Sequence, residues 1–561
     1  MTSEIKVPTP ARFLLNSRWG QLKNERASWM SHWKEISTYL LPRSGRFFLD
    51  DRNKGWRRHN NIYDSTGTRS LRVLAAGMMS GMTSPARPWF RLGTADPDLA
   101  KNGNVKVWLN DVTMRMRDVF AKSNTYRAFH SMYEELAAFG TAASIITADF
   151  NDIIHHYPLT TGEYCIATNW RGEVDTLYRE FEMRVSSIVK EFGYDKCSTA
   201  VKNLYDRGSL DAWVTIIHAI EPRADRDPSK RDAKNMAWGS WYFESGGNPG
   251  HYLSESGYTD FPVIAPRWQI SGGDIYGNSP GMEALGDIKQ LQQEQLRKAQ
   301  GIDYQTKPPL QVPSNLKNRD VDSLPGGITF VDAGPNTGIR TMFESRIDLN
   351  ALLGDIQDVR ERIRGSFYAD LFLMISSSDD LRMTATEVSE RHEEKLLMLG
   401  PVLERLQTEM LDPVIELTFS RMMQAGALPP PPKELQGQDL NVEYVSMLAQ
   451  AQAAVGTNSV DRFTGAMMNL AQVNPTVLDK FNVDEWADTY SGMLGIDPNL
   501  IVATDKADAS REARAKAQVQ AQQAEQQPQQ AAAAKSISQI DPQGLKDVMS
   551  QFTGYTTPQG A

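Results

Sequence analysis

The chain has 561 residues, 69 acidic and 60 basic, with a net charge of −9 and 40% apolar content, so it is a multidomain globular chain too long for one core. Its two cysteines, Cys165 and Cys197, have 31 residues between them, no Cys-x-x-Cys partner and no histidine at zinc spacing, which excludes a disulfide framework and a zinc module. The N-terminus is polar, and the apolar runs Val73–Met82 and Leu371–Ile375 are too short to cross a bilayer, so no signal peptide and no membrane span is expected and the chain reads as cytoplasmic at synthesis.

Charge is unevenly placed. Residues 1–92 hold 16 basic and 6 acidic side chains, a net of +10, which leaves −19 for the rest. Two readings stand: the two parts meet different partners, or a basic arm pairs with its own acidic body.

Residues 11–41 read as a helix, because Leu22, Trp29, Trp33, Ile36 and Leu40 recur at helical spacing and Pro42 ends the run. The tryptophans read as core or interface anchors. Arg52, Lys54, Arg57 and Arg58 make the next loop basic; it suits DNA phosphates, a protein partner or plain solvation. Ile62–Met82 predicts a helix rich in small residues, Ala75, Ala76, Gly77, Ser80 and Gly81, which permit close helix approach. Pro85 and Pro88 then force extended chain. Residues 104–148 predict helix, and 150–275 predict short strands such as Trp213–Ala219 and Trp238–Phe243 separated by Gly, Pro and Asp turns.

Gly281–Asp303 is helical in pattern, with Leu285, Ile288, Leu291, Leu296, Ala299 and Ile302 on one arc and Gln290, Gln293, Arg297 and Gln300 opposite. Residues 305–343 are punctuated by Lys307-Pro308-Pro309, Pro313, Pro325-Gly326-Gly327 and Gly334-Pro335 around two short strand-like runs. Arg346–Tyr368 returns to helix through Leu349, Leu352, Leu353, Ile356, Val359, Ile363 and Phe367. The polar loop Ser376-Ser377-Ser378-Asp379-Asp380 follows. A long helix then opens at Met383–Val388, where Thr384 and Glu387 fit a capping box. Pro401 and Pro413 are expected to kink or break it. The tetraproline Pro429–Pro432 marks a boundary, 433–500 is a smaller helical unit, and the Ala/Gln-rich chain beyond 506 fits either an assembly helix or a disordered tail.

Catalytic signatures are missing. No Gly-rich loop ends in Gly-Lys-Ser/Thr, and Gly272-Gly273-Asp274-Ile275-Tyr276-Gly277 lacks the lysine and reads as a turn. His392-Glu393 has no second histidine, and His155-His156 reads as structural or surface. Asp379-Asp380 is the one tempting carboxylate pair for metal ions, but it lies in a polar loop and reads as solvated. Asp64-Ser65-Thr66-Gly67 has the look of a nucleophile turn without an assignable base.

The run from Ile62 to Pro85, the Met383–Val388 opening, and the order helix, Pro/Gly insert, helix, polar loop, long helix resemble the head-to-tail connector (portal) proteins of short-tailed bacteriophages, the podoviruses, from about Phe13 to Asp497. The resemblance implies a mainly helical α+β portal fold. In it, 1–60 is an N-terminal helix and basic loop, 61–280 an α/β wing, 281–304 and 346–370 the two stem helices, and 305–345 the clip. Residues 371–383 correspond to the tunnel loop, 384–428 to the long wing helix, 429–505 to the crown and 506–561 to a variable tail.

The resemblance also implies a homo-oligomeric ring, usually a dodecamer, at one capsid vertex. Double-stranded DNA passes through it without sequence preference, and terminase, tail adaptor, major capsid and scaffolding proteins are its partners. It implies no enzymatic activity, cofactor or membrane, and a location in the virion after assembly in the host cytoplasm. Channel residues would be Ser376, Ser377, Ser378, Asp379, Asp380 and Arg382 with Lys289 and Arg297 on the stem; the last two equally suit bridges between subunits. Docking residues on the clip would be Lys307, Asn315, Lys317 and Arg319. Another ring-forming virion protein and a packaging enzyme remain alternatives; the order of elements argues against the first and the missing nucleotide loop against the second.

Overall fold

The computed structural model describes residues 12–47, 61–96, 99, 102–230, 232–246, 252–313, 324–331, 340–341, 349–376, 399–435, 437, 440–445, 463–472, 481–494 and 507–520. They belong to two compact units: residues 1–93, 109–431 and 440–463 in one, and 94–108, 432–439 and 464–561 in the other.

In the larger unit, helix α1 (Arg12–Tyr39) buries Leu15, Trp19, Leu22, Trp33 and Ile36, the stripe that a period near 3.6 creates. It packs on a five-stranded antiparallel sheet, β4 (Tyr164–Thr168), β5 (Val174–Arg184), β6 (Trp213–Pro222), β7 (Trp238–Glu244) and β8 (Ser254–Tyr258), paired in chain order. Leu15, Trp19 and Leu22 share a core with Tyr178, Ile217, Trp241 and Phe243. The Trp19 and Tyr178 rings stack with centroids 6.1 Å apart.

Part of the basic arm is held by this body. Arg12 donates to the Glu244 carbonyl, and Arg26 to the carbonyls of Tyr164 and Gly162. Lys23 pairs with Glu180 and Arg46 with Glu182, each at 3.5 Å. Lys23 and Arg46 thus pair with the acidic body, whereas Arg12 and Arg26 serve backbone carbonyls. Arg52, Lys54, Arg57 and Arg58 lie outside the described residues.

The expected helix over 104–148 divides. Helices Gly103–Lys122 (α3) and Thr125–Phe139 (α4) are followed by strand β2 (Ala143–Asp149). Gly140, in the left-handed region at φ 76°, ends α4 by donating to the Leu136 carbonyl. A Cβ there would lie 2.1 Å from the Gly277 carbonyl oxygen, so no other residue fits. Beyond it the β-branched Ile145, Ile146 and Thr147 pair antiparallel with β3 (Ile153–Leu159), and β9 (Val263–Ile264) takes the other edge. The Gly272 segment is a turn, as its composition implies. His156 is buried against Phe129, and burial drives its pKa down to about 3, so it is neutral and structural.

Helix α2 (Thr66–Met82) packs on α4. Two helices, Leu285–Thr306 (α8, after the short turn α7, Pro280–Glu283) and Leu349–Ser366 (α9), lie side by side. Between them in sequence comes a small sheet. Strand β10 (Leu310–Pro313) pairs parallel with β11 (Ile328–Val331) and antiparallel with β12 (Arg340–Thr341), three strands where two were expected. Ile356, Val359, Ile363 and Phe367 are buried as their spacing implies. Leu353 and Ile302 are not: 43% and 39% of their surfaces remain exposed at the end of the pair nearest the insert.

Leu371–Ser376, which the resemblance places at the start of the tunnel loop, is helical in α10 (Ala369–Ser376), where Leu371 and Phe372 are buried. Helix 399–424 (α11) runs through Pro413 without breaking. A π turn over Gln407–Leu411 supplies the slack that the missing proline N–H demands, so the expected kink becomes a local widening. The capping pair Thr384 and Glu387 lies outside the described residues.

The smaller unit contains helices 463–472, Val483–Leu494 and 507–520. Arg511 holds the Asp484 carboxylate through both terminal nitrogens, at 2.5 and 2.6 Å. The start of the Ala/Gln-rich segment is thus helical; residues 521–561 lie outside the described set.

Candidate functional site

Two polar clamps position the helix pair and its surroundings. The first is centred on Asp64, the residue that reads as a nucleophile turn in sequence. Its Oδ1 accepts from the Thr66 N–H at 2.8 Å and the Thr66 hydroxyl at 2.5 Å, closing the N-terminus of α2. Its Oδ2 accepts from Arg360 Nη2 at 2.7 Å and Nε at 3.1 Å on α9, and from Gln295 Nε2 at 3.1 Å on α8. Gln292 of α8 completes the node. Its Oε1 takes the N–H groups of Tyr63 and Asp64 at 2.7 and 2.8 Å, and its Nε2 donates to the Asp64 carbonyl at 3.1 Å.

One buried carboxylate therefore ties three helices. Burial alone would raise the Asp64 pKa, but hydrogen bonds from Thr66 and Arg360 outweigh it and hold the group below the usual carboxylate range. All its acceptor capacity is engaged and no base faces it, so the nucleophile reading is discarded in favour of a structural one.

The second clamp joins Arg267 to Glu409 in the π turn. The guanidinium also donates to the carbonyls of Gly172 at 2.7 Å and Ile275 at 3.4 Å. It forms one wall of an open cleft of about 740 Å³, whose other walls include Trp238, Phe261, Glu416 and Leu417.

Helix α10 is seated by a third contact. A Cβ on Gly77 would lie 2.2 Å from Phe372 Cγ, so the absent side chain on α2 is the notch that Phe372 fills. Tyr368, between α9 and α10, takes a left-handed φ of 52° and turns the chain from one helix to the next.

The seam between the two helices carries several carboxylates. Glu294 is buried there, and Gln290 Nε2 donates to its Oε1 at 2.7 Å. Burial first, and then the neighbouring Asp355 carboxylate, push its pKa up. Arg362 lies 3.6 Å from both Asp287 and Asp358 across this surface.

Of the residues singled out from sequence, Lys289 forms a half-exposed ion pair with Glu35 of α1 at 2.5 Å. Arg297 is exposed on α8. Lys307 is exposed at the end of α8, and its carbonyl accepts from Gly326 at 2.6 Å, closing the insert at its base. Ser376 ends α10. Ser377, Ser378, Asp379, Asp380 and Arg382, together with Asn315, Lys317 and Arg319, lie outside the described residues. Among the described residues no cluster of three or more metal-ligating side chains exists, and no helix is long and apolar enough to cross a membrane.

Comparison with known proteins shows the family. Residues 12–502 match the family of bacteriophage head to tail connecting proteins, and the chain belongs to that family. It is a structural component of the virion at the junction of head and tail. It is 63% identical over 549 residues to a protein described as "Probable portal protein" from Bordetella phage BPP-1, covering 97% of this chain and 99% of the relative. It is 46% identical over 530 residues to the "Portal protein" of Salmonella phage epsilon15, covering 94% and 95%. A chain from a solved virion of a native gene transfer agent particle aligns with a TM-score of 0.36 and 12% identity over 78% of this chain and 91% of its own, a likeness too remote to add to the assignment.

Proposed function

We propose that the chain is the subunit of a portal, a closed homo-oligomeric ring of twelve copies at one vertex of the capsid. Double-stranded DNA enters and leaves through its centre. The observation that carries this reading is the sequence of helix, three-stranded insert, helix and short helix over 285–376, in a chain 63% identical to a probable portal protein.

In this reading α8 and α9 are the stem, residues 305–345 the clip, 371–383 the tunnel loop, 61–280 and the 384–428 helix the wing, and 429–505 the crown. The clip, with Lys307, Asn315, Lys317 and Arg319, meets terminase during packaging and the tail adaptor afterwards. Capsid and scaffolding proteins surround the ring. Ser376–Asp380 and Arg382 face the DNA path. The role is structural and needs neither catalysis nor a cofactor.

Physical chemistry supports loose passage of DNA. Each phosphate neutralised by Lys or Arg strengthens binding and makes it salt-sensitive. Here Lys289 is offset by Glu35, and Asp355 and Asp358 are exposed on the helix pair beside the half-buried Asp287. Such a surface holds DNA without gripping it.

Negative-stain microscopy of the purified full-length chain tests the proposal. A ring with a central hole is expected, and a monodisperse monomer at high concentration overturns it. Deleting Ser377–Asp380 is expected to leave rings intact and to reduce packaged DNA in reconstituted heads.

A further inference from the structure

Two hairpin tips on the larger unit present aromatic rings that stand exposed among the described residues. Phe150, between β2 and β3, is fully exposed, and Trp170, between β4 and β5, is 88% exposed. Both tips are held rigid. Asp149 Oδ1 accepts from the N–H groups of Asn151 and Asp152 at 2.7 and 2.9 Å. Asn169 Oδ1 accepts from those of Arg171 and Glu173 at 2.8 and 3.1 Å.

A ring fixed in place by such Asx turns loses little conformational freedom on contact. Rigid, exposed tryptophan and phenylalanine are the side chains that anchor protein interfaces. The tips are also unlike in charge. Phe150 is flanked by Asp149 and Asp152, whereas at the other tip the Arg171 guanidinium lies over the Trp170 ring, 4.9 Å from its centroid, and the Glu173 carboxylate is turned onto Asn169 Nδ2 at 2.9 Å.

Resting on the ring reading above, we propose that the Phe150 tip of one copy packs against the Trp170–Arg171 tip of the next, with Asp149 and Asp152 facing Arg171. A closed ring needs two different, mutually complementary surfaces on every copy, since a head-to-tail contact must repeat around the circle. An aromatic tip flanked by two carboxylates and an aromatic tip that presents a guanidinium over its ring meet that requirement on one chain. A single self-complementary patch would stop at a dimer.

The background for a cross-linking test is clean, because Cys165 and Cys197 are both buried. The full-length variant Phe150→Cys with Trp170→Cys is treated with a short bis-maleimide under assembling conditions. The expected result is a ladder of covalent multimers extending past the dimer, with no ladder from either single variant. Arg171→Glu is expected to raise the concentration for half-assembly by about tenfold, as losing one interface anchor does. Adding Asp149→Lys and Asp152→Lys to it is expected to restore assembly.

Three outcomes overturn the contact: rings in the wild type with no ladder in the double variant, a ladder that stops at dimer, or dimers from a single variant. A wild type that forms no ring in solution overturns the ring reading itself, and microscopy of the untreated protein separates that case from the others.

Discussion

Glu409 receives Arg267 three times over: Nη2 at 2.7 Å, Nε at 3.2 Å and the backbone N–H at 2.9 Å, from a residue 142 positions away. The Arg267 side chain is 3% exposed and the Glu409 side chain 19%. A charge pair so withdrawn from water contributes little compared with an apolar pair of the same size, yet removing one partner strands the other. We expect Glu409→Ala to cost about 3–5 kcal/mol, read by chemical denaturation. An effect below about 0.5 kcal/mol would place the pair with ordinary surface bridges.

The Asp64 node predicts a pH dependence with a definite sign. Asp64 has a folded pKa below its unfolded value of about 3.9. Its contribution to stability is therefore complete above about pH 4–5 and disappears as pH falls through the folded pKa. Asp64→Asn should be less stable than wild type at neutral pH and should lose less on acidification toward pH 2. Parallel melting curves for the two proteins at every pH would refute the assignment.

Gly77 and Phe372 predict a coupling. Gly77→Ala should destabilise strongly, because its Cβ would lie 2.2 Å from Phe372 Cγ. Phe372→Ala alone should cost about 3–5 kcal/mol as a buried aromatic. In the double variant the clash is gone, so its cost should be about 1 kcal/mol or more below the sum of the two single costs. Strict additivity in denaturant titrations would show that the contact is not what seats α10.

Two apolar residues on one helix should behave differently. Ile356 is 1% exposed and Leu353 is 43% exposed. Ile356→Ala should cost about 2–5 kcal/mol in subunit stability. Leu353→Ala should leave the melting curve nearly unchanged and weaken assembly, measured by light scattering against concentration. Equal loss of stability in both variants would count against a neighbour covering Leu353.

The C-terminal segment predicts tolerance. Truncation after Thr504 removes the helix 507–520, whose side chains are almost all exposed. Assembly should survive, as an Ala/Gln-rich segment has little apolar surface to bury. A truncated chain that stays monomeric in light scattering would assign this segment to the ring.

Most elements were legible because they rest on local pattern. The stripe in α1, the helices flanking the insert, and the strands around Trp213 and Trp238 follow from periodicity and turn residues. Over 104–148 the reading failed at Gly140, where the left-handed turn is fixed by a carbonyl 137 positions away rather than by its neighbours. Leu371–Ile375 is legible as an apolar run, but what makes it helical is Gly77, a partner remote in sequence. The clamps were the hardest to foresee. Asp64-x-Thr66 before a helix is a recognisable turn signature, but nothing local announces Gln292 or Arg360 as its partners. Lys289 illustrates the same limit, since its exposure on a helix gave no hint of Glu35.

The π turn at Gln407–Leu411 also has a consequence for indels. A π turn holds one residue more than the α turn it replaces, and one residue is worth about 100° of rotation about the axis. Val414, Ile415, Leu417, Thr418 and Met422 are buried in the segment beyond it. Deleting a single residue from 407–411 would restore a regular spiral and swing those five side chains by roughly a quarter turn, exposing several of them. The helix is thus phased by one supernumerary residue, and a deletion that looks conservative in an alignment would be among the most damaging changes this chain can suffer.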